Sequence, residues 1–325
     1  MDLATHALVG LLAARTRRRW LGRPAVAWAF VGASLLPDVD VAVVLLDPVE
    51  ATLYRHTLTH SLLFLPVLAG AFALLVSATG RLSTAEALPI AALGIALHLL
   101  LDLINAYGVA LLYPLSDARF ELPLLFVVDP IVTPVLAVAA GASLWAATDR
   151  HRRRAFARWG LVAAAAYLGL ALHLRATAAG IAGSDAMLVP EPLAPWRWRA
   201  VTAAPDGYHQ MLIDPIAGTA LPLPDVASAA DDVAVTSVRR SGLLAAAEPF
   251  LKAPVWTVTG SRVVVHDLRY RFALLGNAWD PFAFAFDVEG GTVRAVQAGL
   301  GERIGQSLAT LGEIAGLRPR QLSGG

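Results

Sequence analysis

The sequence contains no cysteine and a single lysine, Lys252, and only 16% of its 325 residues are charged. Without cysteine, disulfide bonds and thiolate metal sites are both excluded. Soluble domains carry about 25% charged residues, whereas this chain is 57% hydrophobic and has a mean hydropathy of +0.60. The composition is therefore that of a membrane protein, and any bound metal must be held by imidazole and carboxylate groups.

The hydrophobic residues are concentrated in six stretches, which run over 3–14, 24–46, 58–79, 87–112, 124–147 and 159–178. A helix needs about 20 residues to span a bilayer, so every stretch except the first is long enough. We therefore expect residues 1–179 to form a membrane all-α helical bundle of five to six transmembrane segments that carries a metal site.

Residues 180–325 have a different pattern. Short alternating or aromatic runs, such as 255–258 and 262–266, are separated by turn signals such as 205–207 and 289–291. Such alternation between turn residues is typical of strands. The sequence therefore predicts that the helical bundle is followed by a separate β-rich domain outside the membrane.

The placement of arginine predicts the orientation of the bundle. Eleven arginines fall in the loops of one side, mostly in 15–23 and 150–158, against two, Arg55 and Arg119, in the alternate loops. Because basic loops stay in the cytoplasm, we expect a multi-pass protein of the cell inner (plasma) membrane with an extracytoplasmic C-terminal domain. The basic runs are short and follow this topology, so the expected partner is the lipid bilayer and not a nucleic acid. The oligomeric state is left open.

Ionisable residues of the kinds that bind metals interrupt the apolar stretches. They are His6, Asp38, Asp40, His56, His60, His98, Asp102 and Asp129. An ionisable side chain within a bilayer is costly unless it pairs, binds an ion or faces water. At 1.5 Å per helical residue, these segments bring their polar groups to the outer half of the bilayer. A shared metal site explains this agreement better than several independent coincidences.

The spacing within two of these segments suits metal ligation. His98 and Asp102 are four residues apart, as are His56 and His60. Residues at this spacing lie on one face of a helix. Each pair could therefore offer its two side chains to a single point.

Asp38 and Asp40 follow Pro37 and are only two residues apart. They point to one site only if the proline disturbs the helix; otherwise one is a ligand and the other orients an imidazole. Imidazole and carboxylate without thiolate suit a divalent metal such as Zn²⁺ or Mn²⁺, and this many groups would be better used by two ions than by one. Asp40 and Asp38 are the predicted catalytic residues, since an aspartate at such a centre can serve as a base.

Several motifs occur together in the order known from one family. They are Met1-Asp2-Leu3-Ala4-Thr5-His6, Leu36-Pro37-Asp38-Val39-Asp40, Thr59-His60-Ser61-Leu62 and His98-Leu99-Leu100-Leu101-Asp102, followed by Asn105-Ala106-Tyr107-Gly108. Over about residues 1–150 the chain resembles the membrane-bound metal-dependent hydrolase family, the YdjM-like, LexA-regulated inner-membrane proteins. The resemblance implies a multi-pass membrane enzyme with a metal centre.

The resemblance also implies particular ligands. It carries that role to His6, Asp38, Asp40, His60, His98 and Asp102. One segment departs from the family, whose members usually read His-Arg-Gly-x-Thr-His-Ser, because here Arg55 precedes His56. The ligand role of His56 therefore depends on its spacing to His60 and not on the family position.

Three functions are compatible with the sequence. The one we expect is a hydrolase that uses metal-activated water on a lipid or lipid-linked phosphate or ester in the outer half of the bilayer. The alternative is an ion or proton-coupled transporter that uses the same intramembrane His/Asp cluster, although the sequence lacks the internal repeats of many transporters. The third is a non-catalytic protein in which the metal only stabilises the fold.

Overall fold

The computed structural model describes residues 1–40, 55–145, 149–192, 194–245, 247–270 and 283–296. Within these residues, the first part of the chain is helical. Its helices are α1 (Leu3–Ala14), α2 (Pro24–Leu35), α3 (Leu65–Ala78), α4 (Thr84–Leu103), α5 (Val132–Trp145) and α6 (Arg150–Ala182). The end of the predicted apolar stretch 24–46 lies outside the described residues.

Two helices of the described part of the chain, α4 and α6, are long and apolar enough to cross a membrane. The helices α1, α2, α3 and α5 have 12 to 14 residues each. At 1.5 Å per residue they measure about 18–21 Å, against a hydrocarbon core of about 30 Å. The prediction of five to six transmembrane segments is therefore not supported, and a helical region with two candidate spans takes its place.

Several helices end early or begin late for a local reason: the polar motifs take the place of α-helix there. Residues 37–40 turn in a 3₁₀ conformation, and a second 3₁₀ turn covers Leu58–His60, so α3 begins only at Leu65. Helix α4 ends at Leu103, before the Asn105–Gly108 motif. Hydropathy alone predicts helix for these segments, although their backbone is not α-helical and their polar side chains make other contacts.

Helices α1, α2 and α4 approach one another closely at glycines. A Cβ atom at Gly10 of α1 would lie 2.6 Å from Ser34 Oγ, and one at Gly94 of α4 would lie 2.6 Å from the Cβ of Ala33. Both contacts are too short for a side chain. Gly10 and Gly94 lie one helical turn from His6 and His98, so the close packing brings those histidines to the end of α2.

The C-terminal part contains two antiparallel four-stranded sheets in the described residues, which confirms the prediction of a β-rich region. The strands of the first are β1 (Met187–Glu191), β2 (Ala194–Ala204), β3 (Gly207–Asp214) and β4 (Thr219–Ala227). Helix α7 (Val233–Ser241) leads to the second, which is formed by β5 (Pro254–Thr259), β6 (Arg262–Asp267), β7 (Phe284–Glu289) and β8 (Thr292–Val296). In both sheets the strands follow chain order.

The first sheet continues the core of the helical region. Trp198 of β2 pairs with Ile213 of β3, and both side chains are fully buried in one cluster with Leu136 of α5 and Ala178 of α6. The second sheet has its own core, in which Trp256, Val265 and Phe286 pack against α7. The β-rich region is therefore joined to the helices by burial of apolar side chains and not only by the chain itself.

Candidate metal centre

Six of the predicted ligand residues come together in two groups. One nitrogen or oxygen atom from each of His6, His98 and Asp102 lies within 4.8 Å of the other two, and the same holds for Asp38, His56 and His60. All six side chains are buried. The first group joins α1 to α4, and the second joins the end of α2 to the turn before α3. The tertiary structure thus assembles a site from segments that are far apart in the sequence.

Asp102 connects the two groups through its carboxylate. Its Oδ1 atom lies 3.3 Å from His6 Nε2 and also contacts the α-amino group of Met1. Its Oδ2 atom lies 2.9 Å from His98 Nε2 and 3.3 Å from His60 Nε2. The two oxygens therefore face different histidines, which is the arrangement of a carboxylate shared between two adjacent ligand groups.

The ring of His98 is held in a defined orientation. Its Nδ1 atom lies 2.7 Å from the backbone carbonyl of Ser34, which can only accept, so the Nδ1–H donates there. Its Nε2 atom then points at Asp102 Oδ2 and lies 3.0 Å from His60 Nε2. Neutral nitrogens and a carboxylate oxygen would repel one another at this separation unless a proton or a cation lies between them. A carbonyl behind the ring is also the usual support of a metal-bound histidine.

The two aspartates after Pro37 have different surroundings. Asp38 belongs to the second group. Asp40 lies behind that group, with its Oδ2 atom 3.3 Å from His60 Nδ1 and accepting the backbone N–H of His56 at 2.8 Å. Of the alternatives that the sequence left open, the geometry favours one aspartate among the donor atoms and one that orients an imidazole.

His56 enters the site through an unusual backbone conformation. Its φ angle is +57°, in the left-handed region that non-glycine residues seldom adopt. Its Nε2 atom lies 3.9 Å from Asp102 Oδ2, and its ring centroid lies 4.4 Å from that of His60. Such a conformation costs on the order of 1–3 kcal/mol and persists where the surroundings hold it. The backbone of His56 thus directs an additional imidazole into the cluster.

Asp129 belongs to neither group. Its Oδ1 atom accepts the backbone N–H groups of Ile131 and Val132 at 2.8 Å each, and its Oδ2 atom accepts the hydroxyl of Tyr167 at 3.1 Å. The carboxylate therefore accepts backbone N–H groups at the start of helix α5 and links this helix to α6 through Tyr167. These contacts give Asp129 a structural role at a helix start, where Asp is a preferred residue, and its ligand role stays a prediction.

The cluster contains buried donor and acceptor atoms that make no hydrogen bond of good geometry among the described residues, although several lie close to one another or to Arg55. They are His6 Nδ1 and Nε2, His56 Nδ1, Asp38 Oδ2, Asp40 Oδ1 and Asp102 Oδ2. Each such atom costs about 1–3 kcal/mol when it is left unsatisfied. Imidazole nitrogens and carboxylate oxygens are ligands of divalent metals. The residues present therefore fit one or two divalent cations, which would satisfy several of these atoms at once.

Some groups at the site were not singled out from the sequence. The carbonyl of Ser34 gives no sequence signal, because every residue has one. Asn105 Nδ2 donates to Asp102 Oδ1 at 3.4 Å, and the ring of Tyr107 lies 4.4 Å from that of His56. Both lie in the Asn105–Gly108 motif, which is one of the motifs of the family resemblance. The motif is visible in the sequence, but its residue types are as typical of a turn as of a contact with the site.

The described part of the chain thus combines two helices that are long and apolar enough to cross a membrane with a buried His/Asp cluster that could hold a metal ion. The chain belongs to the YdjM inner membrane protein family, whose model matches residues 1–178, more than half of the sequence. This confirms the family that the motifs predicted. The match includes every residue of the cluster and stops before the β-rich region. No curated protein and no solved structure matches the chain.

Proposed function

We propose that the protein is a metal-dependent hydrolase of the inner membrane that acts on a lipid or lipid-linked phosphate or ester. The observation that supports this most strongly is the group of buried, unpartnered nitrogen and oxygen atoms around Asp102. One or two bound ions, Zn²⁺ or Mn²⁺, would supply Lewis-acid activation of water and of a phosphoryl or acyl oxygen. The imidazoles of both groups, with Asp38 and Asp102, would hold these ions.

Asp40 is the residue to which we assign the role of general base. Its Oδ2 atom is occupied by His60 Nδ1 and the His56 N–H, whereas its Oδ1 atom has no hydrogen-bond partner among the described residues. The first pair of contacts fixes the carboxylate, and Oδ1, which has Arg55 Nε beside it at 3.8 Å, would be the oxygen that accepts a proton from water. Of the two predicted catalytic residues we therefore assign the proton transfer to Asp40, and cation binding to Asp38.

Arg55 favours an anionic substrate group. Its Nη2 atom lies 3.5 Å from Asp38 Oδ1 and its Nε atom 3.8 Å from Asp40 Oδ1, distances at the long end for an ion pair. The side chain is 27% exposed, so its positive charge lies at the edge of the buried cluster. Guanidinium groups match phosphate geometry well. A phosphate ester is therefore the better substrate candidate than a neutral ester.

The surface of the helical region supports a position within the bilayer. Large apolar side chains are exposed on its outside, including Trp28, Leu75, Val138, Trp145 and Trp159. Extended apolar surface is stable in lipid and unfavourable in water. We place the short helices against α4 and α6 within the membrane without assigning them full spans. With the basic loops in the cytoplasm, the β-rich region would lie outside and the buried cluster would lie in the outer half of the bilayer, where the partly exposed Arg55 marks its edge.

Phosphate release from a lipid substrate tests the proposal. The full chain, purified in detergent and supplied with Mn²⁺ or Zn²⁺, should release phosphate from phosphatidic acid or a polyprenyl diphosphate in mixed micelles. His98→Ala and Asp40→Asn should abolish release, while His209→Ala, at an exposed histidine of β3, should not. Equal rates in all variants would overturn the proposal, and fatty-acid release without phosphate release would redirect it to ester hydrolysis.

Proton-coupled transport is the second candidate, because the buried groups form a continuous series. His6, Asp102 and His98 are joined by distances of 3.3 and 2.9 Å, and His60 and Asp40 continue the series at 3.3 Å per step. A pH-sensitive dye inside proteoliposomes distinguishes the two functions. Proton entry that depends on His60 and occurs without hydrolysis would favour transport.

A further inference from the structure

Arg269, in the turn Leu268–Tyr270 that follows β6, reaches from the β-rich region into the helical region. Its side chain is 1% exposed and lies 2.8 Å from Asp267 Oδ2. Its Nη1 atom donates to the carbonyl of Ala106 at 2.9 Å and to Glu121 Oε2 at 2.8 Å. Ala106 and Glu121 belong to the connection between α4 and α5. One buried guanidinium therefore joins the second sheet to the segment that follows the candidate metal centre.

Neighbouring side chains strengthen this junction. The hydroxyl of Tyr270 donates to the same Ala106 carbonyl at 3.2 Å, and Lys252 Nζ lies 3.0 Å from Glu121 Oε1. The ring of Phe250 lies 4.9 Å from that of Tyr107. The contacts are charged, polar and aromatic, and they all meet residues 106–121. This is the composition of a specific interface and not of an incidental contact between two regions.

The segment fixed by Arg269 contacts both ligand groups. Asn105, which precedes Ala106, donates from Nδ2 to Asp102 Oδ1 at 3.4 Å and accepts the N–H of Tyr107 at 2.7 Å. Tyr107, which follows, lies edge-on to His56 at 4.4 Å. The Ala106 peptide is thus held by Arg269 on one side, while its two neighbours contact Asp102 and His56 on the other.

Arg269 also keeps its positive charge at this junction. Burial alone would lower the pKa of its guanidinium, but the nearby Tyr270, Asp267 and Glu121 raise that pKa above its ordinary value. The side chain therefore stays charged throughout the physiological pH range. A permanently charged planar group with several fixed hydrogen bonds positions its partners more rigidly than a flexible ammonium could.

We propose that the β-rich region forms one wall of the candidate metal centre and that Arg269 is a positioning residue for it, acting through Ala106 and Tyr107 on His56. The inference rests on the proposed function only in that the centre binds a cation. It means that the geometry of a site whose ligand residues all lie within residues 1–178, the part that the family model matches, would also depend on a residue outside that part.

Cysteine labelling tests the wall without any metal. The sequence has no cysteine, so a single Ala106→Cys substitution gives one labelling site, at a position 8% exposed. Maleimide labelling of the folded full chain should be slow, and at least tenfold faster when Arg269→Met is added. Ala118→Cys, at an exposed position of the same connection, should react quickly in both backgrounds. If Arg269→Met left the labelling rate of Ala106→Cys unchanged, the proposal that the β-rich region forms a wall of the site would be wrong.

Mn²⁺ titration of the full chain, followed by electron paramagnetic resonance, tests the positioning role. Loss of a residue that supports ligands typically weakens metal affinity about 10–100-fold, so Arg269→Met should fall in that range and Arg269→Lys should recover part of the loss. Arg262→Met, which breaks an exposed pair with Asp287, is the matched control and should bind as the unaltered chain does.

The outcomes separate the two proposals. Faster labelling with unchanged Mn²⁺ affinity would overturn the positioning role and leave Arg269 as a docking residue. Absence of Mn²⁺ binding by the unaltered chain would overturn that role together with metal-dependent hydrolysis, whereas the wall would still be decided by labelling alone.

Discussion

The helical region and the β-rich region both bury charged side chains, but they use them differently. In the β-rich region, Glu191 Oε1 lies 3.4 Å from Arg199 Nε and Asp267 Oδ2 lies 2.8 Å from Arg269 Nη2. In the helical region, Asp102 faces imidazoles, and its Oδ2 atom has no hydrogen-bond partner within the described part of the chain. The two buried acids of the β-rich region face arginine, whereas Asp102 faces histidine.

This difference shows that burial of a charge does not by itself identify a site. An arginine on a carboxylate balances the charge within the protein, and it makes the pair a structural element. Asp102 lies among imidazoles, and the fixed positive charge beside it is the α-amino group of Met1 on Oδ1. Ring nitrogens that are not protonated keep their lone pairs, and an added cation or proton would satisfy them together with Oδ2. The type of residue that faces a buried acid is therefore more informative than the burial of the acid.

The largest expected effect is that of Asp102→Asn. Because one oxygen faces His6 and the other faces His60 and His98, we expect both ligand groups to lose affinity by more than about 100-fold, above the range for a supporting residue. Metal content of the purified protein, measured by mass spectrometry, should fall close to zero. Asp38→Asn should affect only its own group, and an equal loss in both variants would contradict a shared carboxylate.

Glu191→Gln should damage the fold and spare the metal centre. Removing one partner of a buried ion pair costs about 3–5 kcal/mol, because the remaining charge is left uncompensated. Denaturant unfolding followed by circular dichroism should show this loss, with metal content unchanged. The control is Asp287→Asn, which removes an exposed pair with Arg262 and should cost at most about 1 kcal/mol. If Glu191→Gln kept its stability but lost its metal, the assignment of Glu191 to the fold and not to the metal centre would be wrong.

Asp40→Asn should have an intermediate effect. The amide can still accept the His56 N–H, but it loses the charge that faces His60 Nδ1. We expect metal affinity to weaken about 10–100-fold, with the number of bound ions unchanged. Calorimetric titration gives both quantities. Loss of a whole ion would make Asp40 a ligand, as the sequence first suggested.

The smallest effect should come from the helix packing. Gly94→Ala places a Cβ atom 2.6 Å from the Cβ of Ala33 and 3.3 Å from backbone atoms, and such overpacking costs typically about 1–3 kcal/mol. Gly70→Ala in α3 meets nothing within 4 Å and should stabilise slightly through helix propensity. Thermal unfolding of the two variants in detergent makes the comparison. Similar melting temperatures would show that α2 and α4 can move apart freely.

Much of the candidate site could be predicted from residue types and short spacings. His98 and Asp102 do project together from α4, and a β-rich region does follow the helices. The number of complete spans could not be predicted, because hydropathy registers apolar composition and not where Leu58–His60 leaves the helix. Asp129 is a related case, since an acid at a helix start and an acid at a metal site look alike in sequence.

The sequence by itself determined the chemistry of the cluster: imidazole and carboxylate without thiolate, in pairs four residues apart. Only the tertiary structure decided that Asp102 lies between two groups, that Asp40 stands behind His60, and that Arg269 meets Ala106. The physical reason is the range of each constraint. Spacing along a helix is set by local backbone geometry, whereas contacts between distant segments depend on how closely helices pack at Gly10 and Gly94 and on where the sheets dock.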